Sequence, residues 1–320
     1  MSRILVTGAT GFIGANLCRR LQHAGHEVCQ IVRHHPSPGQ TAPGSQVIAV
    51  GDIAGDVEWH AALRDIDAVA HLAGLAHLRR GQNGDDLASY RRVNVEATGR
   101  LAAAAGDAGV KRFLFLSSIG VLGSSMRDRP FSDDTPANPL EDYARSKYEA
   151  EQHLRQHANG MELTIVRPPL VYGPGNPGNF LSLLKLVASG LPLPFGRVEN
   201  MRSLIGVENL VDFLTCCLED RAAAGRTFLI SDGEDISLRG LIELIAEKMH
   251  RPVRLFPVPV GLLLSLGRLI GQRDRIAKLT GALVIDSLAA RDALHWAPPR
   301  TLAEGIAATV AWYLDAAGGR

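Results

Sequence analysis

The sequence predicts an α/β protein: a doubly wound parallel sheet with helices on both faces, followed by a smaller C-terminal α/β substrate lobe. Three observations carry this. Short β-branched runs alternate with helical patterns through the first half of the chain; strands joined this way by short connections lie parallel, with helices covering both sides. A chain of 320 residues is long for one small domain and suits a large domain with an attached lobe. The composition then changes after Tyr172, where Gly173-Pro174-Gly175-Asn176-Pro177-Gly178 cannot be helix or strand throughout. A boundary between residues 1–172 and residues 173–320 is expected there, with some later segments free to return to the first domain.

Taken in order, Arg3–Thr7 reads as a buried strand and residues 14–24 as a helix. Glu27–Val32, residues 46–50 and residues 68–72 read as strands. Residues 90–106 form a long alanine-rich helical pattern, residues 112–117 a strand, Asp142–His157 a helix and residues 163–167 a strand. In the second part, helices are expected over 180–189, 208–218, 238–249 and 303–314, a strand over 227–230, and a Pro-rich hairpin-like stretch over 191–196. The apolar run 258–270 is interrupted by Gly261, Gly267 and Arg268. It falls short of the ~18 residues a membrane span needs and reads as a core helix.

Bulk properties exclude several classes. Hydrophobic residues at 46% and charged residues at 21% argue against disorder. A net charge of +1, from 34 basic and 33 acidic side chains, gives no electrostatic case for a nucleic-acid partner. The N-terminal apolar run is too short for a signal peptide, and no stable membrane insertion is expected. Four cysteines, with Cys216 and Cys217 adjacent, make no disulfide framework. A reducing cytoplasm fits best, and no metal site is expected.

Thr7-Gly8-Ala9-Thr10-Gly11-Phe12-Ile13-Gly14 lies between the first strand and the first helix. Gly8 permits a tight turn, Gly11 lets backbone approach a pyrophosphate, and Gly14 lets helix and strand pack closely. The helix N-terminus adds free N–H groups and a positive dipole end. Three glycines in a turn also suit a merely structural loop; the strand–turn–helix setting is what points to a dinucleotide. The second strand ends Ile31-Val32-Arg33-His34-His35, without an acid. An acid there would bond ribose hydroxyls and repel a 2′-phosphate, whereas a cation accepts it. Arg33 is therefore the candidate clamp, and NADP(H) is expected over NAD(H). Asp52 suits the adenine amino group and Ile53 the ring face; Leu72, Ala73 and Gly74, ending the fourth strand, let a ribose come close.

Tyr143 and Lys147, four apart on a helix, share one face. A phenol titrating near ~10 exchanges protons poorly at neutral pH, and a nearby cation is expected to lower that value. Ser118, at the end of the fifth strand, can bond the same substrate oxygen. All three are expected at the carboxyl ends of the strands, where open α/β sheets bind ligands. A Tyr and a Lys at this spacing often share a surface by accident; the order glycine loop, strand-end serine, then this pair is what carries the reading.

With His71-Leu72-Ala73-Gly74, Val93-Asn94-Val95, Ser117-Ser118 with Gly123, Arg167-Pro168 and Val171 to Gly175 added, the chain resembles the extended short-chain dehydrogenases/reductases of the NAD-dependent epimerase/dehydratase group. The resemblance implies a Rossmann-type sheet of seven parallel strands with a smaller C-terminal substrate lobe. It implies that Ser118, Tyr143 and Lys147 are catalytic, and that Asn94 supports the lysine through a hydrogen-bond network. Thr10, Phe12, Ile13 and Pro168 join the cofactor residues on the same grounds. It also implies a UDP-linked sugar substrate contacted by Ser117, Ser118, Asn179, Leu193, Phe195 and Arg202, and a possible homodimer paired through the helices 90–106 and Asp142–His157.

The sequence departs from nucleotide-sugar 4-epimerases at several points. Val121-Leu122-Gly123 stands for the usual V-Y-G, Arg202-Ser203 for R-D, and Leu170 for a frequent Asn. The C-terminal R-x-P-G-D segment is absent, with Leu279 to Asp286 near its place. These departures and Arg33 favour a reductase that takes NADPH to the C4 ketone of a UDP-4-keto-6-deoxy-N-acetylhexosamine, in surface polysaccharide synthesis. The rivals are an NAD-retaining 4-epimerase of a UDP- or lipid-linked N-acetylhexosamine, an NADPH reductase of small carbonyl compounds, and a non-catalytic NADP-sensing regulator. Retention of both Tyr143 and Lys147 speaks against the last.

Overall fold

The structure, a computed structural model, describes residues 1–35, 44–76, 86–126, 129–158, 160–269 and 271–318. Seven strands form the main sheet: β1 (Arg3–Thr7), β2 (Glu27–Val32), β3 (Gln46–Ala49), β4 (Ala68–His71), β5 (Arg112–Leu116), β6 (Glu162–Arg167) and, far along the chain, β9 (Thr227–Leu229). Their order is β3-β2-β1-β4-β5-β6-β9 and every pairing is parallel. Near-continuous apolar strands such as Ile4-Leu5-Val6 and Phe113-Leu114-Phe115 are what a sheet covered on both faces requires. One face packs Leu17 and Leu21 of helix Phe12–His23 with Leu210 and Leu214 of helix Val207–Glu219. The other packs Leu101 and Ala105 of helix Ala97–Asp107 with Ala150 and Leu154 of helix Asp142–His157. The strand order reverses between β1 and β4, and that crevice is where such sheets take ligands.

A smaller sheet, β7 (Leu170–Tyr172), β8 (Met201–Gly206) and β10 (Asp235–Ser237), runs in the order β10-β8-β7. It shares a second core with helices Asn179–Ala188, Leu238–Lys248 and Leu302–Gly318. Helix Val207–Glu219 and β9 return to the main sheet, so residue 172 marks the first excursion of the chain and not a clean cut.

Several features differ from the sequence reading, among them the short helices Trp59–Ala62, Arg273–Thr280 and Leu288–Leu294, which it did not expect. β7, β8 and β10 are new; β7 and β10 have three residues each, too few to show a period. Residues 191–196 form no hairpin: Leu193 makes a lone parallel bridge with Leu255, a partner too remote for local pattern to reveal. The helix expected at 90–106 starts at Asp86 and contains a π turn over Arg92–Glu96. Finally, helix Val260–Leu269 buries only Leu263 and Gly267, so it is not a core helix; Ile270 lies outside the described residues. Among the described residues no helix is long and apolar enough to cross a membrane.

Candidate active site

The glycine turn is closed by backbone. Gly8 has φ +70°, and a Cβ there would stand 2.8 Å from the Ala73 nitrogen. A Cβ on Gly14 would fall 2.1 Å from the Gly8 carbonyl oxygen, so only glycine lets the helix sit this close to the turn. Gly11 donates its N–H to that same carbonyl at 2.9 Å and caps the helix without any side-chain bond. The first-turn N–H groups are thus left to a ligand. Thr10 and Gly11 are exposed; Phe12 and Ile13 are half-buried.

The other expected cofactor residues line the same edge. Arg33 is exposed at the end of β2, and its carbonyl accepts the Gly51 N–H at 3.1 Å. Asp52 is exposed and accepts from the Ala54 N–H at 3.0 Å, while Ile53 packs on the core. Leu72 and Ala73 are half-buried and Gly74 is exposed. Pro168 is buried after β6, and its carbonyl accepts the Ile119 N–H at 3.0 Å.

Ser118 caps a short 3₁₀ turn over Ile119–Val121, its Oγ accepting the Gly120 N–H at 3.2 Å. Its hydroxyl lowers the titration of the Tyr143 phenol, against the rise that burial causes. Lys147, one turn further along that helix, donates to the Leu116 carbonyl at 2.8 Å and lies 4.4 Å from the Phe115 ring centroid. Burial pushes the Tyr143 phenol up to about 12, reinforced by Tyr90 and opposed by Ser118. The expectation that the ammonium holds this phenol acidic is therefore corrected for the chain on its own: burial raises the phenol, and Ser118, not Lys147, is what opposes the rise. Burial pushes Lys147 down to about 8, with Glu151 opposing.

Beneath this pair runs a buried relay. Asn94, inside the π turn, accepts the Leu75 N–H at 2.8 Å and donates to the Leu75 carbonyl at 3.0 Å and to Ser146 at 2.9 Å. Ser146 in turn donates to the Tyr143 carbonyl at 2.8 Å. A Cβ on Gly74 would lie 3.1 Å from Asn94 Oδ1 and 3.3 Å from Lys147 Nζ, so amide and ammonium meet beneath that glycine. Thr98 donates to the Asn94 carbonyl at 2.8 Å. His71 Nε2 must then donate to Thr98 (2.8 Å), and Nδ1 accept from Thr7 (2.7 Å), whose oxygen accepts the Ala73 N–H at 3.1 Å. The donors fix the tautomer. Burial, with Lys147 adding to it, pushes His71 down to about 3. The relay links the glycine turn to the helix that carries Tyr143 and Lys147.

Ser117 does not face the cleft, which corrects its expected substrate role. Its hydroxyl donates to fully buried Glu151 at 2.5 Å, and Arg167 donates to the same carboxylate at 2.9 and 2.6 Å. Glu151, His71, Thr98 and Ser146 escaped the sequence reading. Extending the Tyr143–Lys147 spacing by one more turn would have reached Glu151.

On the lobe side, Asn179 is exposed as the first residue of its helix and Phe195 is half-buried. Leu193 is buried in the lobe core, so its side chain is not available to a substrate, a second correction. Arg202 is neither free nor ion-paired: its Nη1 donates to the carbonyls of Lys278 at 2.5 Å and Gly281 at 2.8 Å. Leu122 packs with Phe131, Leu283 and Ile285.

A glycine cradle at the crevice of a parallel sheet, with a phenol and an ammonium one turn apart and a serine at the neighbouring strand end, defines an NAD(P)-dependent enzyme of the extended short-chain dehydrogenase/reductase type. Residues 4–231 match the NAD dependent epimerase/dehydratase family, and the chain belongs to it. A Vibrio cholerae protein named UDP-glucose 4-epimerase is 39% identical over 318 residues, 98% of this chain and 96% of its own. The N-acetyl-alpha-D-glucosaminyl-diphospho-ditrans,octacis-undecaprenol 4-epimerase of Escherichia coli O157:H7 is 29% identical over 269 residues, 81% of this chain and 77% of its own. The structure of MoeE5 in complex with UDP-glucuronic acid and NAD matches with a TM-score of 0.78 at 26% identity, over 98% of this chain and 99% of that one.

Proposed function

We propose that the protein is a 4-epimerase of a UDP-linked hexose or N-acetylhexosamine, working with a retained dinucleotide. One observation carries this reading: Tyr143 and Lys147 lie one turn apart on the helix Asp142–His157, and the Lys147 ammonium meets the Asn94 amide beneath Gly74, just past the end of β4. The full-length similarity to a protein named UDP-glucose 4-epimerase supports it over net reduction, in spite of the sequence departures.

The residues present fit a dinucleotide. A Cβ at Gly8 or Gly14 would fill the cradle, and Gly11, Thr10 and the first helical turn would face the pyrophosphate. Asp52, Ile53, Ala73 and Gly74 would flank the adenine and ribose. When bound, the nicotinamide supplies reversible two-electron oxidation of the sugar carbon. Tyr143 accepts the C4 hydroxyl proton and later returns it to the same oxygen, so no net proton or electron is consumed. Ser118 holds that oxygen, and with the dinucleotide bound Lys147 would add its charge to that of the oxidised nicotinamide, against the burial that raises the phenol in the chain on its own. Asn94 and Ser146 anchor the helix carrying both. Asn179 and Phe195 remain the candidates for the nucleotide end.

Arg33 favours a second reading. An exposed arginine at the end of β2, with no acid beside it, suits NADP(H) and hence net reduction of a 4-keto sugar. Incubating the purified protein with UDP-glucose and with UDP-N-acetylglucosamine, without added cofactor, separates the two. Appearance of the C4 epimer, with a dinucleotide released on denaturation, is expected. No epimer, together with stoichiometric NADPH oxidation by a UDP-4-keto-6-deoxy sugar, would establish the reductase. Arg33→Ala should weaken NADPH binding by about tenfold or more, as loss of a charge-assisted phosphate contact does, with NADH little changed. Equal losses would remove the clamp.

A further inference from the structure

Helices Val260–Leu269 and Arg273–Thr280 form a hairpin against the lobe. They pack closely, for a Cβ on Gly267 would stand 2.5 Å from the Ile276 side chain. Leu263 and Gly267 supply the buried side of the first helix. Leu262, Leu266 and Leu269 are 51%, 49% and 82% exposed. At positions i, i+4 and i+7 they form one stripe, with Ser265 and Arg268 flanking it on the side away from the core. Phe256 and Leu279 are exposed nearby in sequence. Of the eleven large apolar side chains exposed among the described residues, five fall within residues 251–280.

The charge of this segment is equally uneven. Residues 251–280 hold six Lys or Arg and one Asp, a net of +5, so the remainder of the chain, with 28 basic and 32 acidic residues, carries −4. Arg251, Arg254, Arg268, Arg273 and Lys278 are exposed.

We propose that this hairpin docks the protein on an anionic lipid bilayer surface. A short leucine stripe rimmed by cations is the chemistry of a helix lying in the headgroup layer: the apolar side chains enter the acyl boundary while the cations meet lipid phosphates. A second copy of the chain is the less suitable occupant. A two-fold contact sets a patch against itself and would bring like charge against like charge, since residues 260–280 alone hold four Lys or Arg and one Asp, whereas an anionic bilayer neutralises both. The stripe is too small for permanent insertion, so the docking is reversible and salt-sensitive. Lys278 pairs with Glu141 at 2.8 Å, and Arg202 and Asn200 bond the end of the second helix. The docked hairpin is thereby tied to the residue before the helix that carries Tyr143. The inference does not depend on which C4 reaction the site performs.

Co-sedimentation with vesicles tests it. The full chain should pellet with vesicles of equal phosphatidylglycerol and phosphatidylcholine, and about tenfold less with phosphatidylcholine alone or in 0.5 M salt. The triple variant Leu262→Glu, Leu266→Glu, Leu269→Glu should stay in the supernatant while turning over soluble substrate as the wild type does. Arg268→Glu with Arg273→Glu should weaken binding without touching the leucines. The proposal fails if the wild type does not pellet with anionic vesicles, or if the leucine variant pellets equally. It also fails if the wild type is a dimer in solution that the leucine variant dissolves, for the face is then a self-interface.

Discussion

Tyr143 and Lys147 carry opposite burdens of burial, and each can be read separately. Tyr143→Phe keeps the ring against Tyr90 and removes only the proton route. kcat should fall by about 10²–10⁴, the usual contribution of a positioned acid–base group, with the thermal midpoint nearly unchanged. An effect below tenfold would assign the proton to another group. Lys147 is held near 8 in the fold against an ordinary 10.5. Between pH 8 and 10 the unfolded lysine still binds a proton that the folded one has released, so stability rises with pH by up to about 1.4 kcal/mol per unit. Above 10 the raised Tyr143 opposes this. Lys147→Met should lose activity, lose that slope, and be no less stable than wild type at pH 7; urea midpoints across the range check the three together. The pair was legible in the sequence because helical spacing is local. The upward shift of the phenol was not, because it comes from desolvation by distant chain segments.

At the scale of elements, β4 and the π turn are joined by one neutral imidazole. His71 titrates near 3 in the fold and near 6.5 when unfolded. As pH falls from 6.5 toward 3 only the unfolded state gains the proton, so the relay alone costs up to about 1.4 kcal/mol per unit in that window. His71→Leu should start less stable, since it strands the Thr7 and Thr98 hydroxyls, and should lack this acid slope in urea titrations at pH 7 and 4.5. An unchanged slope would place the acid sensitivity elsewhere. Strands β1 and β2 and the helix Asp142–His157 were readable to the residue, their periods being strong and their ends marked. The π turn was not, for Arg92-Val93-Asn94-Val95-Glu96 looks like ordinary helix. Only the bonds Asn94 makes across the fold justify the extra residue in that turn, and such turns recur at functional sites.

At the scale of the whole molecule, sheet and lobe are joined at Asp232, just beyond β9. Its carboxylate accepts from Tyr172 at 2.8 Å, from the Gly206 N–H at 3.0 Å and from Asn209 at 2.7 Å, so it gathers β7, β8 and the start of helix Val207–Glu219. Asp232→Ala should cost about 2–4 kcal/mol through the buried donors it leaves unmatched, and should raise KM more than it lowers kcat, since the lobe would be loosened while the proton site stays built. A fall in kcat with KM unchanged would contradict that division. The main sheet was legible because its strands follow one another with helices between. The lobe was not: its short strands find partners only through distant chain, and Leu193 and Arg202, chosen for their chemistry, are occupied by the protein itself. The late return of β9 to the edge of β6 has a further consequence. The N-terminal half cannot be inherited or exchanged as a self-sufficient module, because its last strand is written more than fifty residues beyond the point where the composition changes. Severed there, it would present the apolar margin of β6 as a template for aggregation, so new substrate preferences in such a chain must come from edits within loops, not from swapping one half for another.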